Sequence, residues 1–510
     1  SSDLNCSILN FYRIIVDKKT KRVYILLTKK QFERRRIQMV TSHSQSNGVT
    51  KEVMTAAWAI ALGAIAPMLD STMINIAIKQ LNHTFNSSLD IVQWGITGYV
   101  LALAIAVPLS GWFMNQFNGK KVFILAMAAF GLTSILAGVS WNIIVFNIFR
   151  ILQGFSAGVI TTLMFTLLVK TAGQDHIGKV MAVVSTPMIF GPILGPVLGG
   201  FIIHFASWRW IFFINIFIVI IAIPLMNKYV PQFEPFNKDS KLDVIGILLL
   251  SFMSISIIYG VTKASDDGTF FTLKPMIYII MGILLTITYC IYNRLRHYHT
   301  VLPINLFTQK KYAASSIGLL LANIGIMGPM LIIPLFFQNF KHYTAIEASL
   351  ALIPQGLGML ITRPYIGKMI DQIGAKYVVI VSIIIAMFGT VPLMVVSNHT
   401  HIVWLSLILF IRGCSVGGIN LGLTSDAYQG IDDKQIAEAG VGINMIENIG
   451  SSLGTAIIAT VVASMLALNH PSILQSLRAY HAGFLVSTVA LLLIVLPALF
   501  LTHKSKKIES

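Results

Sequence analysis

Gly191-Pro192-Ile193-Leu194-Gly195-Pro196-Val197-Leu198-Gly199-Gly200 sets glycines at i, i+4 and i+8 in a run whose other residues are aliphatic or proline. Glycines at that spacing let a neighbouring helix backbone approach closely, and each proline removes a backbone hydrogen bond and bends the helix. The density of both exceeds what packing alone requires, so a functional bend is expected here. The stripe lies inside an unbroken apolar stretch at 180–203, which is one of fourteen. The others run over about 53–78, 91–111, 122–140, 143–169, 210–228, 242–262, 275–293, 313–337, 347–366, 376–396, 402–425, 440–467 and 482–502. Only helices and closed barrels satisfy their backbone in lipid, and runs of this length are helices.

Composition agrees. Of 510 residues, 55% are hydrophobic and 11% charged, with mean hydropathy +0.77, whereas a soluble domain carries about a quarter charged residues. The chain is an all-α polytopic membrane protein. Fourteen spans need roughly 280 residues, and the short remaining loops exclude a large soluble catalytic domain. The excess of 37 Lys+Arg over 20 Asp+Glu, a net charge of +17, reads as loop charge holding orientation, not as a nucleic-acid surface. Cys6, Cys290 and Cys414 form neither a disulfide framework nor a metal quartet.

Residues 1–52 read as a basic cytoplasmic leader, or as sequence upstream of a start at Met39; a lipid-binding role for the cluster is the alternative. An even number of spans puts both termini on one side. If that side is cytoplasmic, inner loops hold Lys120, Lys121, Lys170, Lys179, Lys228, Lys238, Lys241, Arg294, Arg296, Lys310, Lys311, Arg363, Lys368, Lys376, Lys434 and the tail's Lys504, Lys506 and Lys507, while outer loops hold Lys79, Arg209, Lys263, Lys274, Lys341 and Arg478. The asymmetry is roughly threefold, the positive-inside pattern.

An internal repeat is visible. Gly111-Trp-Phe-Met-Asn115-Gln116-Phe-Asn118-Gly-Lys120 follows the second segment, and Gly367-Lys-Met-Ile-Asp371-Gln372-Ile-Gly374-Ala-Lys376 follows the tenth. A looser echo pairs Gln153-Gly154-Phe-Ser-Ala-Gly158 with Arg412-Gly413-Cys-Ser-Val-Gly417. The simplest account is two six-helix halves, 53–229 and 312–503, separated by a linker with two extra helices at 230–311 and followed by a tail at 504–510. Repeated halves in a membrane protein point to a transporter whose site lies at their interface.

The glycine–proline stripe resembles the antiporter signature of the major facilitator superfamily. Trp208-Arg209-Trp210-Ile-Phe-Phe-Ile-Asn215 is similar to the hallmark of its fourteen-span drug:proton antiporters, the EmrB/QacA type. Leu69-Asp70-Ser-Thr72-Met-Ile-Asn75, Gln93-Trp94-Gly-Ile-Thr-Gly-Tyr99 and Arg150-Ile-Leu-Gln153-Gly154 resemble the same family, over about 53–503. The resemblance implies the major facilitator fold, 6+2+6 helices in two pseudo-symmetric bundles, with the first and fourth helices lining a central cavity. One departure is clear: the loop after segment two has Asn115, Gln116 and Asn118 where the family carries Asp, Arg and Gly, so a charged gating latch is in doubt there, while Asp371 and Gly374 keep one open in the second half.

Ionisable groups at mid-membrane are costly, roughly 2.5–3.5 kcal/mol on insertion scales, and are functional candidates by default. Asp70 falls roughly 9–12 Å and Arg150 roughly 10 Å below the outer face at 1.5 Å per residue, so the two are expected to communicate and to couple protons, or else to form a buried pair joining two helices. Glu447, flanked by Asn444 and Asn448, is a candidate for cation recognition; Arg412 stands near it in height as partner or neighbour. Asn75 and Gln153 complete the cavity candidates, and Gly111, Asn115, Gly367 and Asp371 are the gating-loop candidates. His297/His299 and His399/His401 lie in short loops without further ligands nearby, so solvated loops are expected, and no phosphate-binding loop marks an ATP-driven pump. The 30 Phe and 21 Met residues could furnish an adaptable pocket but decide nothing by themselves.

The reading is a proton-coupled antiporter in the cell membrane, both termini cytoplasmic, exporting lipophilic, often cationic drugs by alternating access. Its partners are small molecules, protons and lipids, with no cofactor, metal or nucleic acid; a monomer is expected, and an envelope-spanning partner is left open. The alternatives are a same-fold transporter of one metabolite, antibiotic or lipid and, more remotely, a membrane-embedded enzyme or sensor.

Overall fold

The computed structural model describes residues 50–503 apart from 173–176, 239–240 and 467–472; the leader to residue 49 and the tail from 504 lie outside the described residues. The long helices are α1 (Lys51–Phe85), α2 (Leu89–Gln116), α3 (Gly119–Gly138), α4 (Ile143–Ala172), α5 (Ile177–Phe205), α6 (Trp210–Tyr229), α7 (Val244–Asp266), α8 (Leu273–Leu295), α9 (Lys310–Lys341), α10 (Ile353–Ile373), α11 (Ala375–Thr390), α12 (Ile402–Ala427), α13 (Ile436–Leu466) and α14 (Ile473–Leu493), with no strand among the described residues. Among the described residues, twelve of these helices are long and apolar enough to cross a membrane. The two long helices outside that set are α5, many of whose side chains lie outside the described ones, and α10, which carries Arg363, Lys368 and Asp371.

Two boundaries differ from the hydropathy reading. The segment expected at 347–366 is a short helix, Ala345–Leu350, followed by α10 at 353–373, and the segment expected at 482–502 starts nine residues earlier, at Ile473. In both cases polar residues continue the helix: α10 runs on through Lys368 and Asp371 to Gly374, whose φ of +86° ends it. The expected inner-loop position of Arg363 is corrected with it, for the residue sits mid-helix and is 3% exposed.

The packing repeats between halves. Helix α2 packs on α4 as α10 packs on α12, and α3 packs on α4 as α11 packs on α12. The sequence echo at Gly154 and Gly413 has a physical cause in these contacts. A Cβ on Gly154 would lie 2.2 Å from the Tyr99 carbonyl oxygen, and one on Gly413 2.0 Å from that of Gln355, so only glycine admits the neighbouring backbone. The halves meet along α2 with α13 and α5 with α10, while α7 packs on α13 and α2 and carries α8 on its far side. Helix α8 turns Leu273, Ile277, Leu284 and Ile291 outward, all more than half exposed, an apolar surface suited to lipid.

Candidate functional site

Asp70 lies on α1 three residues after Pro67 and is fully buried. Its Oδ2 receives Arg150 Nη1 of α4 at 2.5 Å; its Oδ1 accepts from Gln153 Nε2 at 3.1 Å and Asn215 Nδ2 at 2.9 Å. Gln153 and Asn215 both donate to Ser134 Oγ at 2.9 Å. Arg150 also donates from Nε to the Gly95 carbonyl at 3.0 Å and from Nη1 to Gln153 Oε1 at 2.7 Å. Its guanidinium lies 4.3 Å from the centroid of the Tyr99 ring, a desolvated cation–π contact. The four helices α1, α3, α4 and α6 thus meet at one polar cluster in an apolar bundle, where every satisfied partner is worth more than in water. Asn215 was legible only as the last residue of the Trp208–Asn215 hallmark; Ser134 carried no sequence signal.

Beside the cluster, and separated from it by Tyr99, is a central cavity of about 340 Å³. Its first-half wall is mostly apolar, from Pro67, Met68, Tyr99, Val100, Leu103, Phe165 and Met181, with Ser71 and Thr161 as its hydroxyls; its second-half wall carries Asn323, Gln355, Arg363, Asn420, Thr424, Asn444, Glu447 and Asn448 beside Met327, Met330 and Met359. Glu447 accepts from Thr424 Oγ1 at 3.3 Å. Methionine's flexible, polarizable chain suits a wall that must fit varied apolar shapes.

The sequence-derived candidates separate accordingly. Asp70, Arg150 and Gln153 come together, and Gln153 belongs to the ion-pair cluster instead of the cavity wall. Glu447 lines the cavity. Arg412 does not: it is fully buried, donating to Gln355 Oε1 and the Gly325 carbonyl at 3.2 Å each. Its place beside Glu447 is therefore corrected: the α12 residue that meets that carboxylate is Thr424, about 18 Å further along the helix than Arg412. Arg412 reaches the cavity only through Gln355. The side chain of Asn75 lies outside the described ones, as do those of Pro192 and Pro196. In α5, Gly191, Gly195, Gly199 and Gly200 are buried; the first three face α1, and Thr72 Oγ1 donates to the Gly191 carbonyl at 2.9 Å.

The gating-loop candidates all lie where the halves meet. A Cβ on Gly111 would sit 2.7 Å from Val441 Cγ2 of α13, and one on Gly367 2.6 Å from the Gly178 carbonyl of α5. One turn further on, Asp371 accepts from the backbone N–H groups of Gly178 and Lys179 at 2.8 and 3.0 Å, a carboxylate on a helix N-terminus, stabilised by its dipole. In the first half Asn115 Nδ2 donates to Glu438 Oε1 at 3.1 Å, in the first turn of α13. The amide at 115 thus meets a carboxylate on the opposite half. Asn118, where the family has glycine, has φ −64° and caps α3 through Lys121 N–H, so no left-handed residue is needed there. His297 and His299 are exposed, at the rim of a separate polar cavity of about 880 Å³ beside this clasp.

Residues 60–455 match the family model of the Major Facilitator Superfamily. The chain is 31% identical over 419 residues to the multidrug resistance protein B homolog of Mycobacterium tuberculosis (strain H37Rv), covering 82% of this chain and 77% of that one. It is 26% identical over 441 residues to the multidrug export protein EmrB of Escherichia coli K12, covering 85% and 84%. Among solved structures, a double-tryptophan mutant of XylE superposes with a TM-score of 0.61 at 16% identity, over 89% of this chain and 97% of that one, which is a likeness of fold.

Proposed function

The chain belongs to the Major Facilitator Superfamily, and from that premise we propose that it is a fourteen-span, proton-coupled antiporter exporting lipophilic, often cationic drugs by alternating access. Its halves are 53–229 and 312–503, the inserted pair lies within 230–311, and both termini face the cytoplasm. The observation that carries this reading is the buried Asp70–Arg150 pair set against the wall of a methionine- and amide-rich cavity through the ring of Tyr99. The multidrug names of the relatives support the same cargo class.

Proton arrival at Asp70 cancels its charge, loosens Arg150 and with it the Tyr99 wall, so that the two helices bearing the pair rearrange and the cavity changes access. Proton departure restores the pair. A ligand or proton shifts such an equilibrium only by its differential affinity for the two states, and a charge that is paired in one state and not in the other supplies that difference. The Asn115–Glu438 and Asp371–α5 contacts then act as the clasps of the end that is shut. The decisive experiment is efflux in inverted vesicles with a dye panel, comparing an imposed pH gradient with ATP; drive by ATP alone would overturn the reading.

Orientation has its own test. In a background lacking Cys6, Cys290 and Cys414, single cysteines at Gly268, between α7 and α8, and at Lys506 are expected to react from opposite faces. Labelling of both from outside intact cells would sink the fourteen-span arrangement. The clasps are equally accessible to experiment. Asp371→Ala removes an anion from a helix N-terminus, about 1 kcal/mol or somewhat more where buried, which favours opening roughly 5-fold. A cysteine at Leu421, on the cavity wall, should then be labelled about 5-fold faster in inverted vesicles; an unchanged rate would mean that Asp371 does not hold this end shut.

A further inference from the structure

We propose that Arg363 makes the central cavity a receptor for acidic cargo: amphipathic compounds bearing a carboxylate, as anions or zwitterions. This rests on the transport reading above and adds a substrate class to it. Arg363 projects from the middle of α10 into the cavity wall, 3% exposed, with Nε and Nη1 lacking any hydrogen-bond partner. The described residues offer it no ion pair. Among the described residues the other two buried arginines each keep one nitrogen unpartnered but are held by others: Arg150 binds Asp70, and Arg412 donates to Gln355 and to the Gly325 carbonyl. Gly417 of α12 faces the same side chain: a Cβ there would make ordinary van der Waals contact with Arg363 Cγ at 3.6 Å and Nε at 3.7 Å and would bring it no polar partner.

A guanidinium taken out of water without a counter-charge is strongly disfavoured, so a wall that retains one is suited to a ligand that brings the anion. Its planar fork fits a carboxylate with two parallel hydrogen bonds. Glu447 on α13 lines the same cavity and gives the polar wall a second pole of opposite sign, where a protonated amine of a zwitterion docks. The apolar body of the cargo lies against Met68, Tyr99 and Phe165 on the facing wall. The sequence reading ended the tenth segment at 366 and counted Arg363, three residues before that end, with the inner-loop charges; the helix runs on to Ile373, which puts Arg363 at its middle.

The test uses the full chain in inverted vesicles and, purified, in detergent, with three probes: 1-pyrenebutyrate, its uncharged methyl ester and ethidium. Arg363→Gln is expected to lower pH-driven pyrenebutyrate transport and binding by about 10-fold or more, the scale of hydrogen bonds to a charged group, and to lower those of ester and ethidium markedly less. Arg363→Lys keeps the charge without the fork and should fall between. Wild-type handling of pyrenebutyrate no better than of its ester, or Arg363→Gln acting on both as wild type does, would overturn the proposal. So would loss of all three probes at unchanged abundance, which makes Arg363 a part of the cycle and not of recognition. If Arg363→Gln does not reach the membrane, the wild-type preference for acid over ester and its weakening in Arg363→Lys decide the matter. Arg363-dependent binding without pH-driven transport of any probe would refute the antiporter reading and leave the anion site standing.

Discussion

Asp70→Asn is expected to eliminate accumulation of substrate against a gradient while leaving substrate binding and downhill exchange measurable. Asparagine keeps the size and two of the hydrogen-bonding roles of the side chain but can no longer alternate between charged and neutral. For an uncharged cargo, one proton moving down 100 mV contributes about 2.3 kcal/mol, enough to hold roughly a 40-fold gradient; without a titrating group that contribution is gone. The substitution also leaves Arg150 buried without its carboxylate, which costs about 3–5 kcal/mol and threatens folding. The double variant Asp70→Asn/Arg150→Gln removes the orphaned charge, and should recover abundance but not coupling. Asp70→Glu, one methylene longer in a fully buried cluster, should keep partial activity at a cost of about 1–3 kcal/mol from overpacking. Counterflow and pH-driven uptake in the same vesicles separate these outcomes. Near-native pH-driven efflux by Asp70→Asn would remove Asp70 as the carrier and leave Glu447 as the next carboxylate to test.

Gly195→Leu is expected to abolish transport with membrane abundance largely retained. A Cβ at Gly195 would lie 1.9 Å from Thr72 Oγ1 and 2.8 Å from Thr72 Cβ, whereas one at Gly199 meets nothing closer than 3.3 Å. Gly195→Ala should therefore be far more damaging than Gly199→Ala. Overpacking of about 1–3 kcal/mol in a state where α1 and α5 touch biases the conformational equilibrium roughly 5- to 150-fold toward one where they part, and a transporter held in one state does not cycle. Thr72→Ala combined with Gly195→Ala should recover part of the activity, since the nearest atom is gone. The measurements are dye efflux and quantified membrane protein for each variant. Parallel loss of both in Gly195→Leu would reduce the stripe to simple packing.

Much of the site was legible because charge in lipid is scarce. Asp70, Arg150 and Glu447 stood out in apolar runs, and counting residues along helices of known rise gave Asp70 and Arg150 matching depths; they are in contact. The Gly111 and Gly367 repeats were legible as repeats, but a repeat does not name its contacts. That Asn115 meets Glu438, and that Asp371 meets two backbone amides of α5, depends on residues 323 and 193 positions away in sequence.

Composition and apolar run length determined by themselves that this chain is a many-helix membrane protein, because lipid leaves the backbone few options and makes runs of spanning length helices. Tertiary structure alone decided which polar residues share a space. It put Arg363 in the cavity wall and Arg412 behind it, drew Gln153 and Asn215 into the Asp70 cluster, and gave the cavity one mostly apolar face and one rich in amide and charged groups. The physical reason is rotation about the helix axis. Sequence fixes how deep a residue lies along its helix, but which neighbour it faces is set by how glycine contacts such as Gly154 on Tyr99 and Gly413 on Gln355 dock one helix against the next.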